Sequence, residues 1–311
     1  MAEKEKQVGN PTVNKSPDSG FTYKSSRIFK PMPPATLDLI FFKKMFFILN
    51  NCNRELAEID VSRLKIQPSQ SQEDFDSLKE YAKSLYRVTI HIYGSKGEYI
   101  MTENVDTFDS PDLPDSVSKI EFENSSRFRV SLEKELGNQF KITFDFTKPK
   151  IFDFNVSPSL ATPVNSAINI IGENEIWVSG VYQKVISPLE ERKNKHGWLH
   201  GNNIYDIFVW ILFMPVIFRS MYVIQQALPQ GFANMSGVLK GAIYVYAFFL
   251  FLNVFRIIFS YARWVFPYLE LNSPLIKTKK HRYILGAIIL SMICAVVFDL
   301  GRTIIFLLIK S

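Results

Sequence analysis

Three long apolar runs fill the last third of the chain. The first, Ile207–Ile224, is 18 residues long and is interrupted only by a proline, an arginine and a serine. A helix of that length rises about 27 Å, close to the roughly 30 Å hydrocarbon core of a bilayer. The two later runs are longer still. The pattern therefore predicts a three-helix transmembrane region in residues 204–311, with helices at about 205–227, 239–263 and 283–307.

Polar residues inside these runs are costly in hydrocarbon, so each needs a partner or a route to the interface. They are Arg219, Asn253, Arg256, Asp299 and Arg302. At about 1.5 Å per residue, Arg219 and Asp299 lie at comparable depth and could form an ion pair. The alternative is that Asp299 pairs with Arg302 and that Arg219 extends to the interface. Asn253 is expected to bond a neighbouring helix or a second copy of the chain, and Arg256 to contact lipid headgroups.

The distribution of Lys and Arg predicts the orientation in the membrane. The flanking cations are Arg192, Lys193, Lys195, Arg263, Lys277, Lys279, Lys280 and Arg282. The segment between the first two helices, Gln225–Lys240, has one Lys. By the positive-inside rule, the N-terminus is cytoplasmic and the C-terminus lies outside.

The N-terminal sequence and the overall composition predict the membrane of residence. The first twenty residues have no apolar core, so we expect the first transmembrane helix to act as the insertion signal. The richness in Lys, Asn, Ile and Phe is typical of an AT-rich bacterial genome. We therefore expect the protein in a bacterial inner membrane.

The first two thirds of the chain predict an α+β cytosolic domain, with a mostly antiparallel sheet and flanking helices. Residues 1–34 are polar and contain several Pro, Ser and Lys residues, which predicts a disordered N-terminal tail. The domain is expected at residues 35–187. Residues 188–203 are expected to form a basic juxtamembrane linker.

An amphipathic helix opens the predicted domain. Its first turn is expected at Thr36–Leu39, and apolar residues then recur at helical spacing. The apolar face contains Leu39, Phe42, Met45, Phe46, Leu49 and Leu56. The run is too short and too charged to span a bilayer, so we expect the helix to pack on the sheet. The alternative is that Phe41 and Phe47 lie in the inner leaflet.

Short alternating runs predict the rest of the domain. Arg87–Tyr93 and Glu98–Thr102 are expected to form a hairpin, and the Phe-rich strand 139–146 needs a helix, lipid or a partner to cover one face. Asn174 is expected to begin a helix that breaks at Ser187–Pro188, where a new one starts. Further strands are predicted at residues 61–66, 119–123, 127–133 and 168–171, and a further helix at residues 72–85.

Charge and cysteine content narrow the functional classes. Residues 201–311 hold 10 of the 36 Lys and Arg residues but only 3 of the 30 Asp and Glu residues, so the soluble part is nearly neutral. A nucleic-acid-binding protein would show a basic patch on its soluble domain, and we therefore predict no nucleic-acid partner. Cys52 and Cys294 fall in different predicted compartments, which suits a reducing cytosol.

No catalytic, phosphate-binding or dinucleotide motif is recognised in the sequence, and no cofactor is predicted. His196 and His200 are four residues apart, a spacing that can place two imidazoles on one helical face for a metal ion. The glycines at 197 and 201 weaken a helix there, and the nearest carboxylate is Asp206. We therefore favour polar anchors at the headgroup level over a metal site.

Three functional hypotheses follow. The first is a non-enzymatic sensor, scaffold or effector that couples a cytosolic recognition domain to a transmembrane helical bundle, as in a stress or defence response. The second is a channel or transporter subunit in which Arg219, Asn253, Arg256 and Asp299 line a path. The third is a membrane-surface enzyme that uses the two histidines and Asp206. The expected partners are the lipid bilayer, further copies of the chain and a cytosolic ligand or protein.

Overall fold

A computed structural model describes residues 25–66, 68, 70–133, 136–152, 157–227, 235–272 and 278–310. The strands in these residues are β1 (Ser26–Pro31), β2 (Ala35–Leu37), β3 (Thr89–Gly94), β4 (Tyr99–Thr102), β5 (Val117–Glu123), β6 (Gln139–Asp145), β7 (Ala167–Gly172) and β8 (Leu269–Leu271). Six of them form one antiparallel sheet in the order β1-β7-β6-β5-β3-β4, and β2 pairs with β8 separately. The predicted α+β class with an antiparallel sheet is confirmed.

Helices cover one face of the sheet. The helices that precede the long apolar ones are α1 (Leu39–Ser62), α2 (Gln72–Ser84), α3 (Ser126–Leu132) and α4 (Glu175–Glu190). Of these, α1 and α4 pack on the sheet, and α2 packs on α1. Asp38 is the N-cap of α1, and its carboxylate accepts a hydrogen bond from the Phe41 N–H at 2.7 Å. Phe42 is fully buried and meets Phe144 of β6 edge to face, with ring centroids 5.0 Å apart. The prediction that this helix packs on the sheet is confirmed, and Phe41 is buried with it.

The two faces of the sheet differ because side chains alternate along each strand. Ile90, Ile120 and Ile142 point to the helices and are fully buried. On the opposite face, Glu121 accepts hydrogen bonds from Tyr93 Oη at 3.2 Å and from Thr143 Oγ1 at 3.1 Å. Helices α1 and α4 thus cover the apolar face of the strand 139–146, as its sequence requires.

Part of the segment predicted as a disordered N-terminal tail is a strand. Residues 26–31 form β1, which pairs with β7 from Ser26 opposite Gly172 to Pro31 opposite Ala167. An edge strand is held by its backbone, so it needs no continuous apolar pattern. Residues 1–24 lie outside the described part of the chain.

Three further local predictions are wrong. Residues 127–133 lie in and just after α3, because β6 pairs directly with β5 and leaves no place for a strand between them. Residues 61–66 are not a strand, since α1 continues to Ser62 with Val61 on its buried face. The last helix of the domain does not break at Pro188. It continues to Glu190, because a proline in the final turn removes only one backbone donor.

Two described helices are long and apolar enough to cross a membrane, by length and composition alone: α5 (Ile204–Gln226) and α6 (Gly237–Val265). A third helix, α7 (Thr278–Lys310), occupies the place of the third predicted span but is not one of those two. Within α5, residues Val209–Phe213 form a π-helical turn ahead of Pro215. There Phe213 stacks on Phe255 of α6 with ring centroids 4.2 Å apart.

Candidate functional site

The sheet domain and the apolar helices meet at a junction, which comprises residues 32–38, the linker residues 192–203 and residues 263–272. The parallel strands β2 and β8 join the first and the last of these segments. The Ala35 N–H donates to the Tyr268 carbonyl at 3.2 Å, and the Asn272 N–H donates to the Leu37 carbonyl at 2.6 Å. The Tyr268 hydroxyl also donates to the Met32 carbonyl at 3.0 Å, across 236 residues of sequence. The segment after α6 is therefore fastened to the start of the domain.

The linker before α5 lies on the other side of β2. The Thr36 N–H donates to the Arg192 carbonyl at 3.2 Å, and the Asn194 N–H donates to the Pro34 carbonyl at 3.0 Å. The Asn194 amide also donates to the Tyr268 carbonyl at 3.1 Å. The residues around β2 thus contact both the chain entering α5 and the chain leaving α6.

His200 connects three segments at the centre of the junction. Its side chain is buried, with Nδ1 at 2.9 Å from Thr162 Oγ1 and Nε2 at 2.7 Å from the Phe266 carbonyl oxygen. Since a carbonyl only accepts, Nε2 carries the proton and donates. Burial lowers the pKa of His200; the bond to Phe266 opposes this shift and the nearby Arg263 reinforces it. The imidazole is therefore held neutral, with Nδ1 accepting from the Thr162 hydroxyl.

Arg263, in the last turn of α6, is buried at the same place, with 6% of its surface exposed. Its Nε donates to the Leu199 carbonyl at 3.1 Å and its Nη2 to the Gly201 carbonyl at 3.3 Å. The guanidinium carbon lies 4.8 Å from the centroid of the Phe259 ring. Both acceptors are backbone carbonyls, and no described carboxylate shares in its environment. Arg263 thus ties the end of one apolar helix to the residues that lead into the other.

Charged and aromatic side chains surround this centre. Lys148 Nζ lies 4.4 Å from the centroid of the Trp264 ring, and Arg282 Nη2 donates to both oxygens of Glu270 at 2.6 and 2.7 Å. The Arg282 guanidinium also lies 5.2 Å from the centroid of the Phe266 ring. Burial lowers the pKa of Lys148, whereas Glu270 raises it and Arg282 lowers it further.

The cations predicted at the membrane interface fall into two groups. Four of them make defined contacts within the protein. Arg192 pairs with Asp38 at 3.0 Å, Lys193 bridges to Ala35 through its backbone, and Arg263 and Arg282 bond as above. Lys195 and Lys280 are exposed, while Lys277 and the side chain of Lys279 lie outside the described residues. Part of the predicted membrane-facing charge is therefore used to hold the junction together.

His196 and His200 make different contacts and do not form a common site. His196 is exposed and stacks on Phe266 with ring centroids 4.3 Å apart, whereas both nitrogens of His200 are engaged. Asp206 accepts a hydrogen bond from Ser159 Oγ at 2.6 Å. Among the described residues, no group of three or more His, Cys, Asp and Glu side chains is placed to hold a metal ion.

The polar residues predicted inside the membrane make local contacts where they are described. Asn253 Nδ2 donates to the Phe249 carbonyl of its own helix at 2.9 Å, and the Arg219 guanidinium lies 5.4 Å from the centroid of the Tyr222 ring. Arg256 is half-buried. The side chains of Asp299 and Arg302 lie outside the described residues, so the predicted pairing of Asp299 with Arg219 stays a prediction.

Several junction residues were not singled out from the sequence. Thr162 and Phe266 act through a hydroxyl and a backbone carbonyl, and such groups occur throughout any chain. β2 and β8 are three residues each and carry no recognisable strand pattern. Other junction residues had a signal: Arg263 and Arg282 lie beside apolar runs, and His200 lies four residues from His196.

Comparison of the chain with protein-family models, with curated proteins and with solved structures finds no match.

Proposed function

We propose that the protein is a membrane-anchored, non-enzymatic coupling protein, a sensor, scaffold or effector in which a cytosolic α+β domain and the membrane helices respond to each other. The observation that carries this proposal is the double attachment at β2, which bonds both to the linker before α5 and to the segment after α6. A plain anchor needs one flexible connection. Two attachments mean that a shift of the domain displaces the ends of both helices together.

The proposal includes a topology. With α5, α6 and α7 as three spans, the sheet domain lies in the cytoplasm, residues 228–236 lie outside, and the C-terminus ends outside. The cation distribution supports this, and so does the pairing of β8, between α6 and α7, with β2 of the domain. The low burial of α5 and α6 supports contact with lipid and with further copies of the chain. The richness in Lys, Asn, Ile and Phe is the basis for proposing a bacterial inner membrane.

Reciprocal coupling is tested by hydrogen exchange of the full-length protein in lipid nanodiscs. Val181→Ala removes buried volume inside the domain, and Arg263→Ala acts at the end of α6. If the two parts are coupled, the first variant speeds exchange at β8 and in the last turn of α6. The second then speeds exchange at β2 and β7.

The matched control for this experiment is Phe249→Ala, because the Phe249 side chain is 56% exposed on α6. It should leave exchange in the domain unchanged. Effects of Val181→Ala that stop within the domain, together with effects of Arg263→Ala that stop at residues 199–201, would reduce the helices to a passive anchor. Reporter fusions after residues 234 and 272 test the topology separately, since the two sites should report opposite compartments.

A further inference from the structure

A cavity of about 250 Å³ opens beside the junction, between the connector that follows β6 and the last two turns of α6. Its lining includes Lys148, Lys150, Thr162, Asn165, Ser260 and Arg263. At about 30 Å³ for each water molecule in the liquid, this space is large enough for a small oxyanion with some of its hydration. The cavity lies where the linker and α6 meet, at the level of the domain-side ends of both apolar helices.

The described residues around the cavity give it a positive charge. Its described lining has two lysines and one arginine, and no carboxylate. Glu270, the carboxylate that acts on Lys148, is already bonded through both oxygens to Arg282. A buried cation without a counter-charge is costly, and Arg263 has two carbonyl oxygens and the face of the Phe259 ring, but no anion, to offset the loss of water. The lowered pKa of Lys148 points the same way, since burial disfavours its ammonium form.

The available donors match a tetrahedral oxyanion. Arg263 uses two of its five N–H donors on the Leu199 and Gly201 carbonyls. Arg263 shares the lining of this space with Lys148, Lys150 and Ser260, whose hydroxyl can donate. Guanidinium and ammonium groups together with hydroxyl donors are the groups that bind phosphate in proteins.

We propose that this cavity is a phosphate-binding site, in which Arg263 and Lys148 bind the anion and Lys150 adds a third positive charge. Two sources supply that chemistry: the headgroup of an anionic lipid in the leaflet facing the domain, and a soluble phosphate. The position at the helix ends favours the lipid, because basic pockets at this level recognise anionic headgroups. A phosphate bound here would bridge the connector to α6 and so tighten the junction.

The test is a ligand titration of the purified full-length protein in dodecyl maltoside micelles, read as the midpoint of thermal unfolding. The three probes are phosphatidylglycerol, phosphatidylcholine and inorganic phosphate, the last against chloride at equal ionic strength. Phosphatidylglycerol should raise the midpoint and phosphatidylcholine should not. The double variant Lys148→Gln/Lys150→Gln should bind phosphatidylglycerol at least tenfold more weakly. If inorganic phosphate raises the wild-type midpoint equally, the source is a soluble phosphate.

The double variant Lys65→Gln/Lys96→Gln is the matched control, since it removes the same charge from exposed positions of the domain. It should bind as tightly as the wild-type protein. The site is disproved if neither phosphate probe shifts the midpoint, if the cavity variant binds as well as the wild type, or if the control loses as much affinity. The inference does not require the domain and the helices to exchange signals, so its failure would leave the hydrogen-exchange test of coupling unaffected.

Discussion

The sheet domain and the apolar helices contain the same kinds of side chain but place them in opposite surroundings. In the domain, Phe42, Phe122 and Phe144 are fully buried against one another. On α5 and α6, Trp210 and Tyr246 are 70% and 72% exposed. The domain thus buries its own aromatic side chains, whereas those of the two helices stay exposed, as expected of candidate membrane spans.

Charged side chains show the same contrast. Glu121 on the sheet has Lys119 at 3.4 Å and Lys141 at 3.5 Å besides its two hydroxyl donors. Arg263 at the end of α6 has two backbone carbonyls and the Phe259 ring, with no carboxylate bonded to it in the described part of the chain. The domain compensates its buried charge with oppositely charged side chains, whereas the described part of the junction compensates Arg263 with carbonyl groups and an aromatic ring.

Truncating a large aromatic side chain should show the difference between the domain core and the apolar helices most strongly. Phe42→Ala is expected to lower the free energy of unfolding by about 3 to 5 kcal/mol, because the close-packed core cannot fill the space. The same truncation at Phe249, on the exposed side of α6, should cost under about 1 kcal/mol. Guanidinium unfolding of the full-length protein in detergent, followed by near-UV circular dichroism, measures both. Equal losses would mean that α6 is packed as a soluble core helix.

Removing the buried cation should have the next largest effect. Arg263→Ala is expected to lower the free energy of unfolding by about 2 kcal/mol, because two carbonyls at residues 199 and 201 lose a charged donor. Lys280→Ala, at an exposed position, should change it by less than about 0.5 kcal/mol. Thermal unfolding measures the difference. An unchanged midpoint for Arg263→Ala would show that burying the charge costs as much as its hydrogen bonds contribute.

Acid should weaken the junction. Burial lowers the pKa of His200, so at acid pH the unfolded chain binds a proton that the folded chain excludes. The contribution is complete above the ordinary histidine pKa of about 6.5 and is lost as the pH falls below it. His200→Gln should cost about 1 kcal/mol at pH 7.5 and give a flatter profile of unfolding midpoint from pH 8 to pH 5.

A residual slope is expected in the His200→Gln variant, because burial also lowers the pKa of His91 in the sheet. An identical slope in the variant and the wild type would exclude His200 as a source of acid sensitivity.

The smallest effect is expected at Asn253. Its amide bonds the backbone of its own helix, so Asn253→Leu should change stability by less than about 0.6 kcal/mol. The number of copies in each particle, measured by mass photometry in detergent, should also stay the same. A shift to single copies would instead assign Asn253 to contact between chains, as the sequence alone allows.

Sequence reasoning succeeded where one element carries its own pattern. The helical spacing of Phe42, Met45 and Leu49 predicted α1 and its buried face, and the alternation in β3 and β4 predicted the hairpin. Both signals are local, because each residue's environment follows from its neighbours three or four positions away in a helix, or two away in a strand.

Local sequence patterns fail to predict a residue's surroundings where distant parts of the chain determine them. Residues 127–133 alternate in sequence like a strand, yet the direct pairing of β5 with β6 leaves them outside the sheet. The junction is the extreme case. Thr162, His200 and Phe266 are brought together by the whole fold, and no spacing among them encodes the contact.

The pairing of β2 with β8 also sets an order of events during synthesis. The ribosome translates residues 35–37 early, but their partner strand leaves the exit tunnel only after α5 and α6 have been made. The fold around β2 therefore remains incomplete until both apolar helices have been synthesised. A nascent chain that ends before β8 would leave one edge of β2 unpaired, because the linker residues 192–194 bond only its other side.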